Sequence, residues 1–200
     1  QIQFKVNGVP FELEQVGVHN MENALAATTV AHQVGIPLST AANALKKYQG
    51  IYRRHQILGK KKGVWVIDDY AHNPAKCAAA ISACQPVASK VVAWFQPHGY
   101  KPTRFLRYDF VQSIAASLRP QDEIWMSEIY YAGGTAVKDI SAADLITDLQ
   151  ALGIKAFFVE DRNTFLSAVR ASLQPDSVLL LMGARDPSLE QFSKEVFNQL

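Results

Sequence analysis

The sequence reads WVIDDYAHNPAKCAAAI at residues 65–81 and VVAWFQPHGY at residues 91–100, and these two stretches decide the fold. Each begins as an apolar run, turns abruptly into polar, histidine-bearing residues, and then reaches a predicted helix. Apolar runs of this length are typical of buried parallel strands. In parallel α/β sheets, ligands bind at the carboxyl edge, where strands end and helices begin. The polar residues after both runs are therefore predicted to share one sheet edge as a binding site: Asp68, Asp69, Tyr70, His72, Asn73, Gln96, His98 and Tyr100.

Strands and helices are predicted to alternate through the rest of the chain. The predicted strands cover residues 63–67, 90–95, 123–127, 155–158 and 178–182, and the predicted helices cover 74–84, 103–117, 142–152, 164–173 and 189–199. This order is typical of an α/β fold with a mostly parallel, doubly wound sheet and helices on both faces. The three lysines at 60–62 lie between two glycines, and we interpret them as a solvated hairpin or loop.

The first fifty residues carry a separate pattern. The predicted elements are a hairpin over residues 2–13, a helix over 20–33 that Gly35 closes, and a helix over 40–48 with Ser39 as its N-cap. An isolated hairpin is only marginally stable in water. We therefore expect this segment to belong to a longer polypeptide, or to complete a sheet that lies elsewhere. A boundary near Gly50 separates it from one complete domain.

Composition excludes several classes of partner. The formal net charge is +2, from 20 Lys and Arg against 18 Asp and Glu, so we expect no nucleic-acid partner and no acidic membrane surface. No apolar stretch approaches the roughly 20 residues that cross a bilayer, and no signal peptide opens the sequence. Cys77 and Cys84 lie two turns apart on one predicted helix, too far for a disulfide. Two unpaired thiols favour a reducing cytoplasm.

Several well-known chemical motifs are missing from the sequence. It contains no phosphate-cradling G-x-x-x-x-G-K-[ST] loop and no G-x-G-x-x-G after a predicted strand. Cysteines and histidines do not have zinc spacing, and there is no G-x-S-x-G nucleophile elbow. The sequence therefore predicts no metal ligands, and it disfavours an unrelated nicotinamide-dependent oxidoreductase.

One candidate group lies in GVHNMENALAA, residues 17–27, which places His19, Asn20 and Asn23 around the first turn of a helix. The two asparagines are three residues apart and share a helix face. Carboxamides both donate and accept hydrogen bonds, which suits recognition of a purine edge. The alternative is two capping amides with nothing bound.

Two further groups have open interpretations. Arg53 and Arg54 suit either a surface ion pair or a bound phosphate. At the predicted sheet edge, Asp69 is able to accept hydrogen bonds from ribose hydroxyls, while His72 and His98 are able to orient a carboxylate or an amine. Ordinary loop histidines are the alternative for this pair. We assign the remaining candidates, His32 and His55, to structural roles.

Taken together, these motifs resemble the Mur ligase family, the ATP-dependent amide-forming enzymes of peptidoglycan precursor synthesis. The motifs are G-x-H-N-x-x-N-A-L-A-A at residues 17–27, R-R at 53–54, D-D-Y-A-H-x-P at 68–74 and F-Q-P-H at 95–98. They are most similar to the branch that joins L-alanine to UDP-N-acetylmuramate, whose Tyr-x-Ala-Gly-Glu segment is similar to residues 129–135. The resemblance covers essentially the whole chain.

The resemblance implies a division of the chain and a larger parent enzyme. Residues 1–50 would be the C-terminal part of the central ATP-binding domain, and residues 51–200 would be the Rossmann-like C-terminal domain that binds an amino acid or peptide. The phosphate-binding loop, most magnesium ligands and the UDP-sugar domain would lie upstream in the same polypeptide. The chain alone is then not expected to turn over ATP.

The family's reaction implies a role for each candidate residue. With ATP and Mg²⁺, the muramoyl carboxylate becomes an acyl phosphate, which an amine attacks to form the amide needed for the cell wall, cell shape and cell division. The implied nucleotide-binding residues are His19, Asn20, Asn23, Arg54 and Asp69, of which Arg54 (phosphates) and Asp69 (ribose) are also the catalytic candidates. The implied amino-acid or peptide site comprises Tyr70, His72, Asn73, His98, Lys101 and Arg104.

Departures from the family pattern leave the substrate open. The second His of the family's H-H-P is Asn73, and the two arginines after its F-Q-P-H are replaced by Gly99 and Pro102. The Glu of the Tyr-x-Ala-Gly-Glu segment is Gly134. Lys101 or Arg104 is the expected substitute for the arginines. Two alternatives stay open: a paralogue that joins a recycled peptide to UDP-N-acetylmuramate, and a non-catalytic protein that binds nucleotide or precursor.

Overall fold

The computed structural model describes residues 2–200 and contains two β-sheets within them. The strands are β1 (Ile2–Val6), β2 (Val9–Leu13), β3 (Gln56–Lys61), β4 (Val64–Asp69), β5 (Lys90–Gln96), β6 (Glu123–Met126), β7 (Ala156–Phe158) and β8 (Ser177–Gly183). The α-helices are α1 (Val18–Gln33), α2 (Leu38–Lys46), α3 (Pro74–Cys84), α4 (Tyr100–Phe105), α5 (Arg107–Ser117), α6 (Ala142–Ala151), α7 (Phe165–Val169) and α8 (Leu189–Gln199).

The larger sheet has six strands in the order β3-β4-β8-β5-β6-β7. Every neighbouring pair is parallel except β3-β4, which is antiparallel. The predicted mostly parallel α/β sheet is therefore confirmed. Strand β8 lies between β4 and β5, and all seven of its residues are buried. The carboxyl ends of β4, β8 and β5 consequently lie side by side.

Two hydrophobic cores cover the two faces of this sheet. Consecutive residues of β5 point to opposite faces, so Phe95 enters one core with Ile114 and Leu149, while Trp94 enters the other with Phe192. Trp94 and Phe95 are both fully buried. Helices on both faces supply the remaining apolar side chains, which is why the central strands β8 and β5 have no polar face.

The first fifty residues form a small unit beside the large sheet. Strands β1 and β2 make an antiparallel hairpin in which the rings of Phe4 and Phe11 stack with centroids 5.3 Å apart. Helix α1 ends where predicted, because Gly35 adopts φ +92° and its N–H donates to the carbonyl of His32. The predicted N-cap Ser39 is wrong. Helix α2 begins at Leu38 after Pro37, whose ring fixes a helix-compatible φ and whose missing N–H is not needed there.

The large sheet differs from the prediction at β3 and β4. Strand β3 was not predicted, since its Gly and Lys residues give no apolar alternation and only pairing with β4 makes it a strand. Residues 60–62 lie in that hairpin, whose turn places Lys62 and Gly63 at positive φ as in a type I′ turn. Strand β4 continues to Asp69, because β8 pairs with it up to Met182.

Two predicted helices also differ. The helix predicted over 103–117 is two helices, α4 and α5, which meet at Leu106. The helix predicted over 164–173 has a short α-helical centre between two 3₁₀ turns. Cys77 and Cys84 are buried free thiols. Within residues 2–200, no helix has the length and apolar character needed to cross a membrane.

Candidate functional site

A cavity of about 680 Å³ lies between helices α1 and α3, at the carboxyl end of β4. The predicted nucleotide-binding residues all line it: His19, Asn20, Asn23, Arg54 and Asp69. Much of the remaining wall is apolar and is formed by Leu13, Ala24, Ala27, Leu45, Ile51, Ala75, Ala79 and Ala80. A concave apolar surface with a few convergent polar groups is typical of a small-molecule site.

The start of α1 presents the two asparagines to this cavity. Asn20 donates its side-chain N–H to the carbonyl of Val16 at 2.8 Å, which fixes the amide plane. Asn23 is exposed and makes no side-chain hydrogen bond within the described residues. Among those residues, no side chain caps the N-terminus of α1, where Gly17 occupies the N-cap position. The amide of Asn23 is consequently available to a ligand.

Gly17 fixes the approach of α1 to α3. Its φ is +92°, and an added Cβ would lie 2.8 Å from the Cβ of Ala83 and 2.7 Å from Cε1 of His19. The Ala83 atom belongs to a buried helix, so it has little freedom to move. Only glycine allows α1 to begin at this distance from α3.

Gly17→Ala is expected to lower the free energy of unfolding by about 2–3 kcal/mol, because a positive φ and a steric overlap add to each other. Gly153→Ala is the matched control, since Gly153 has φ +79° and open space around it. That control should cost about 1 kcal/mol from backbone strain alone. Urea unfolding of both variants measures the difference, and equal losses would show that contact with Ala83 is unimportant.

Asp69 joins two loops at the end of β4. Its Oδ2 accepts the backbone N–H of His55 at 2.6 Å, and its Oδ1 accepts the backbone N–H of Ala71 at 2.7 Å. Only 8% of the residue is exposed, on the cavity side. A carboxylate has about four acceptor positions, so two remain for hydroxyl groups of a ligand.

The two adjacent arginines have different environments. Arg53 is buried, and its Nε and Nη2 donate to the Asp68 carboxylate at 3.0 and 3.3 Å, while Nη2 also donates to the carbonyl of Gly183 at 3.0 Å. Burial raises the pKa of Asp68, and the Arg53 guanidinium opposes that rise. Arg54 is exposed at the cavity, with its guanidinium 5.3 Å from the centre of the Tyr70 ring. The ion-pair interpretation therefore applies to Arg53, whereas Arg54 is open to a phosphate.

His55 lies beneath the cavity between a carboxylate and a thiol. Its Nδ1 is 3.7 Å from Oδ2 of Asp69, and its Nε2 is 3.6 Å from Sγ of Cys84. This order of groups resembles a cysteine nucleophile with its base, but Cys84 is fully buried. Burial raises the pKa of that thiol far above its usual range, so no thiolate forms. The arrangement supports Asp69 and does not catalyse nucleophilic chemistry.

A second cluster lies on the other side of Tyr70. The rings of Tyr70 and His72 are 5.6 Å apart, and those of His72 and His98 are 5.8 Å apart. Nδ1 of His72 lies 2.8 Å from the carbonyl of Tyr70. Because a carbonyl only accepts, Nδ1 carries the hydrogen and Nε2 is the acceptor of the neutral ring. The pKa of His98 is lowered by burial first and then by electrostatic interactions with His72 and Arg185.

The other residues predicted for the amine site are less closely associated with the histidines. Asn73 caps α3 by accepting the backbone N–H of Lys76 at 2.9 Å. Arg104 is exposed and forms an ion pair with Asp139. Lys101 is exposed, with no salt bridge within residues 2–200. The structure thus brings His72 and His98 together, and it commits Arg104 elsewhere.

The sequence interpretation missed two cations near these clusters. Lys76 lines the cavity from the first turn of α3, and its position after the Asn73 cap was the available signal. Arg185 follows β8, and its position shortly after the strand predicted over 178–182 was the available signal. In the described part of the chain, no group of three or more His, Cys, Asp or Glu side chains is arranged to hold a metal ion.

Comparison with known proteins identifies the family. A family model described as "Mur ligase, glutamate ligase domain" matches residues 53–185. A UDP-N-acetylmuramate–L-alanine ligase of Acidithiobacillus ferrooxidans is 39% identical over 181 residues, which cover 90% of this chain and 38% of that protein. The one from Anaeromyxobacter dehalogenans is 35% identical over 177 residues, with 88% and 38% covered. This chain belongs to the Mur ligase family, and it spans about two fifths of the length of these curated relatives.

Solved structures agree with this assignment. The chain superimposes on UDP-N-acetylmuramate-alanine ligase from Thermotoga maritima with a TM-score of 0.74 at 25% identity, covering 96% of this chain and 40% of that one. A murein peptide ligase from Psychrobacter arcticus gives a TM-score of 0.61 at 18% identity, covering 95% and 38%, and shows the fold alone. The predicted resemblance and fold are confirmed.

Proposed function

We propose that this chain supplies part of the ATP site and the amine site of a ligase that joins L-alanine to UDP-N-acetylmuramate in peptidoglycan synthesis. One observation carries the proposal: a single cavity gathers all five residues that the family resemblance implies for the nucleotide. Three of them lie on α1 and two lie some thirty to fifty residues later, so only the fold brings them together. The similarity to alanine-adding relatives supports the choice of substrate.

The cavity has a suitable group for each part of a nucleotide. Its alanine-rich wall is able to pack against the face of a base while Asn20 and Asn23 contact the edge. Asp69 has acceptor capacity for ribose hydroxyls, and the exposed Arg54 is able to pair with phosphate. Residues 2–200 contain no cluster of three or more His, Cys, Asp or Glu side chains arranged to hold a metal ion. The residues therefore suit adenosine and phosphate, and they do not fit Mg²⁺.

The histidine cluster suits the amine. Amide formation requires a neutral amine to attack the acyl phosphate, expel phosphate and lose a proton. Nε2 of His72 is the acceptor of its ring and is able to take that proton. The neighbouring Tyr70 lies between this histidine and Arg54, so it joins the amine side to the nucleotide side. These residues act by positioning and by proton transfer.

We also propose that the chain contains parts of two domains. Residues 1–50, with their own two-stranded sheet, would complete the central ATP-binding domain, and residues 51–200 would form the C-terminal domain. The family match beginning at residue 53 supports this boundary. The free buried thiols support a cytoplasmic location.

Nucleotide binding by this chain is the first test, because it needs no turnover. Isothermal titration calorimetry should detect both adenosine and ATP. Asn23→Ala should weaken both about tenfold, because it removes hydrogen bonds to the base. Arg54→Gln should weaken ATP about tenfold and leave adenosine unchanged, because only ATP has phosphates.

Asn43→Ala is the matched control for Asn23→Ala, since Asn43 is an exposed helical asparagine that lines a separate groove. It should leave both affinities unchanged. Wild-type protein that binds neither ligand would contradict the proposed role of the cavity. An equal loss of affinity for adenosine and for ATP in Arg54→Gln would contradict the proposed contact between Arg54 and the phosphates.

A peptide-adding paralogue is the second candidate, and Gly99 and Pro102 favour it because they replace the family's two arginines. A chimaera tests this directly: the chain replaces the matching region of the Acidithiobacillus ferrooxidans ligase. With ATP, Mg²⁺ and UDP-N-acetylmuramate, product should form with L-alanine. Product with a muropeptide alone would establish the paralogue. A folded chimaera that binds nucleotide and forms no product would indicate a non-catalytic binding protein.

A further inference from the structure

Arg185 occupies an unusual backbone position directly after the central strand β8. Its φ is +50°, in the left-handed region that favours glycine and is uncommon for an arginine. The residue two positions earlier, Gly183, ends β8 at the carboxyl edge of the sheet. Arginine at a position where glycine would be less strained points to a use for the side chain.

The strand register places Arg185 beside both histidines. Asp69 of β4 pairs with Met182, and Gln96 of β5 pairs with Gly183. His72 lies three residues after Asp69, and Arg185 lies three residues after Met182. His98 and Arg185 each lie two residues after the second pair, so all three residues follow closely on neighbouring strand ends. Since β8 lies between β4 and β5, the backbone of Arg185 follows a strand that is flanked by the two strands preceding His72 and His98.

Arg185 is also a cation without a carboxylate partner in the described part of the chain. It is exposed, and it makes no salt bridge within the described residues. The acidic groups around it are already engaged: Arg53 pairs with Asp68, and Arg162 pairs with Asp186. Asp69 accepts two backbone N–H groups, as described above.

His98 offers a second unpaired polar group beside this cation. Its Nδ1 is buried and has no hydrogen-bond partner in the described part of the chain. The charge of Arg185 is close enough to contribute to the lowered pKa of His98. Arg185 thus lies close enough to His98 to influence it, and residues 2–200 offer no salt-bridge partner to its guanidinium and no hydrogen-bond partner to Nδ1 of His98.

We propose that Arg185 binds the carboxylate of the amine substrate, which is therefore an amino acid or a peptide with a free carboxylate close to its amine. This inference rests on the proposed function and deepens it. A guanidinium fork matches a carboxylate in two parallel hydrogen bonds. Arg185 thus takes the role of the arginines that Gly99 and Pro102 replace, a role that Arg104 cannot take while it pairs with Asp139.

The test compares L-alanine with L-alaninamide, which has the same amine and no carboxylate. Binding to the chain is followed by NMR through the imidazole signals of His72 and His98. The wild-type protein should bind L-alanine about tenfold or more tightly than the amide. Arg185→Gln and Arg185→Gly should both erase that preference. Arg185→Gly should also leave the melting temperature within about 2 °C, because glycine suits the backbone at φ +50°.

Arg170→Gln is the matched control, since Arg170 is an exposed arginine that donates to the carbonyl of Gln199 at the other end of the sheet. It should keep the wild-type preference. A preference that survives in Arg185→Gln, or is absent from the wild type, overturns this inference. Adenosine titration of the wild-type protein distinguishes failure of the Arg185 inference from failure of the proposed function. If adenosine binds, the proposed nucleotide site stands; if it does not bind, that proposal is contradicted as well.

Discussion

Arg53→Ala should lower the free energy of unfolding by about 3–5 kcal/mol, because it leaves the buried carboxylate of Asp68 without its partner. It also removes the donor to the carbonyl of Gly183, at the end of the central strand. Arg54→Ala, one residue further along, should change stability by less than about 0.5 kcal/mol, because its side chain is exposed. Equilibrium urea unfolding of both variants measures this contrast.

The variants Arg53→Ala and Arg54→Ala also distinguish an effect on stability from an effect on nucleotide binding. Arg53→Ala that still folds should bind adenosine as well as the wild type, whereas Arg54→Ala should lose affinity for ATP without losing stability. Similar stability losses in the two variants would contradict the structural assignment of Arg53. Arg53→Lys is informative too, because a lysine keeps the charge but cannot donate to Asp68 and Gly183 in the same geometry.

Asp69→Asn should affect both folding and binding. The carboxylate accepts one backbone N–H at each oxygen, from His55 and Ala71. An asparagine has a single oxygen, so its NH₂ group would face one of these donors. We expect a loss of about 2–3 kcal/mol in the free energy of unfolding. Adenosine affinity should fall about tenfold or more, because the ribose acceptor is also lost.

Asp161→Asn is the matched control for that substitution. Its carboxylate also accepts a backbone N–H two residues ahead, from Asn163, but in an exposed turn. Water replaces the lost interaction there, so stability should change by less than about 0.5 kcal/mol. If Asp69→Asn were equally mild, the burial of Asp69 would have no energetic consequence and its role in joining the two loops would be wrong.

The site owes its arrangement to one edge of one sheet. Helix α1, the segment before β3 and helix α3 surround the cavity, and the loops after β4, β5 and β8 carry the two histidines and Arg185. Tyr70 stands between the two groups, with Arg54 on one side and His72 on the other. The two groups therefore share a single aromatic ring as a common wall.

Local sequence determined the alternating architecture. Apolar runs such as residues 91–95 have the length of buried strands, and each is followed by a helix, so a sheet covered on both faces is the way to bury them. The polar residues after two of these runs were accordingly predicted at one edge. The order of four motifs predicted the family. Gly35 predicted the end of helix α1.

Tertiary structure decided what depends on distant partners. Strand β3 exists because β4 pairs with it, and Arg53 and Arg54 are indistinguishable until Asp68 and the carbonyl of Gly183 are in place around one of them. Arg104 pairs with Asp139, and Arg185 follows β8, which lies between the two strands that precede His72 and His98. Sequence patterns report local periodicity and burial, whereas the charge that each side chain meets is set by contacts between residues far apart in the chain.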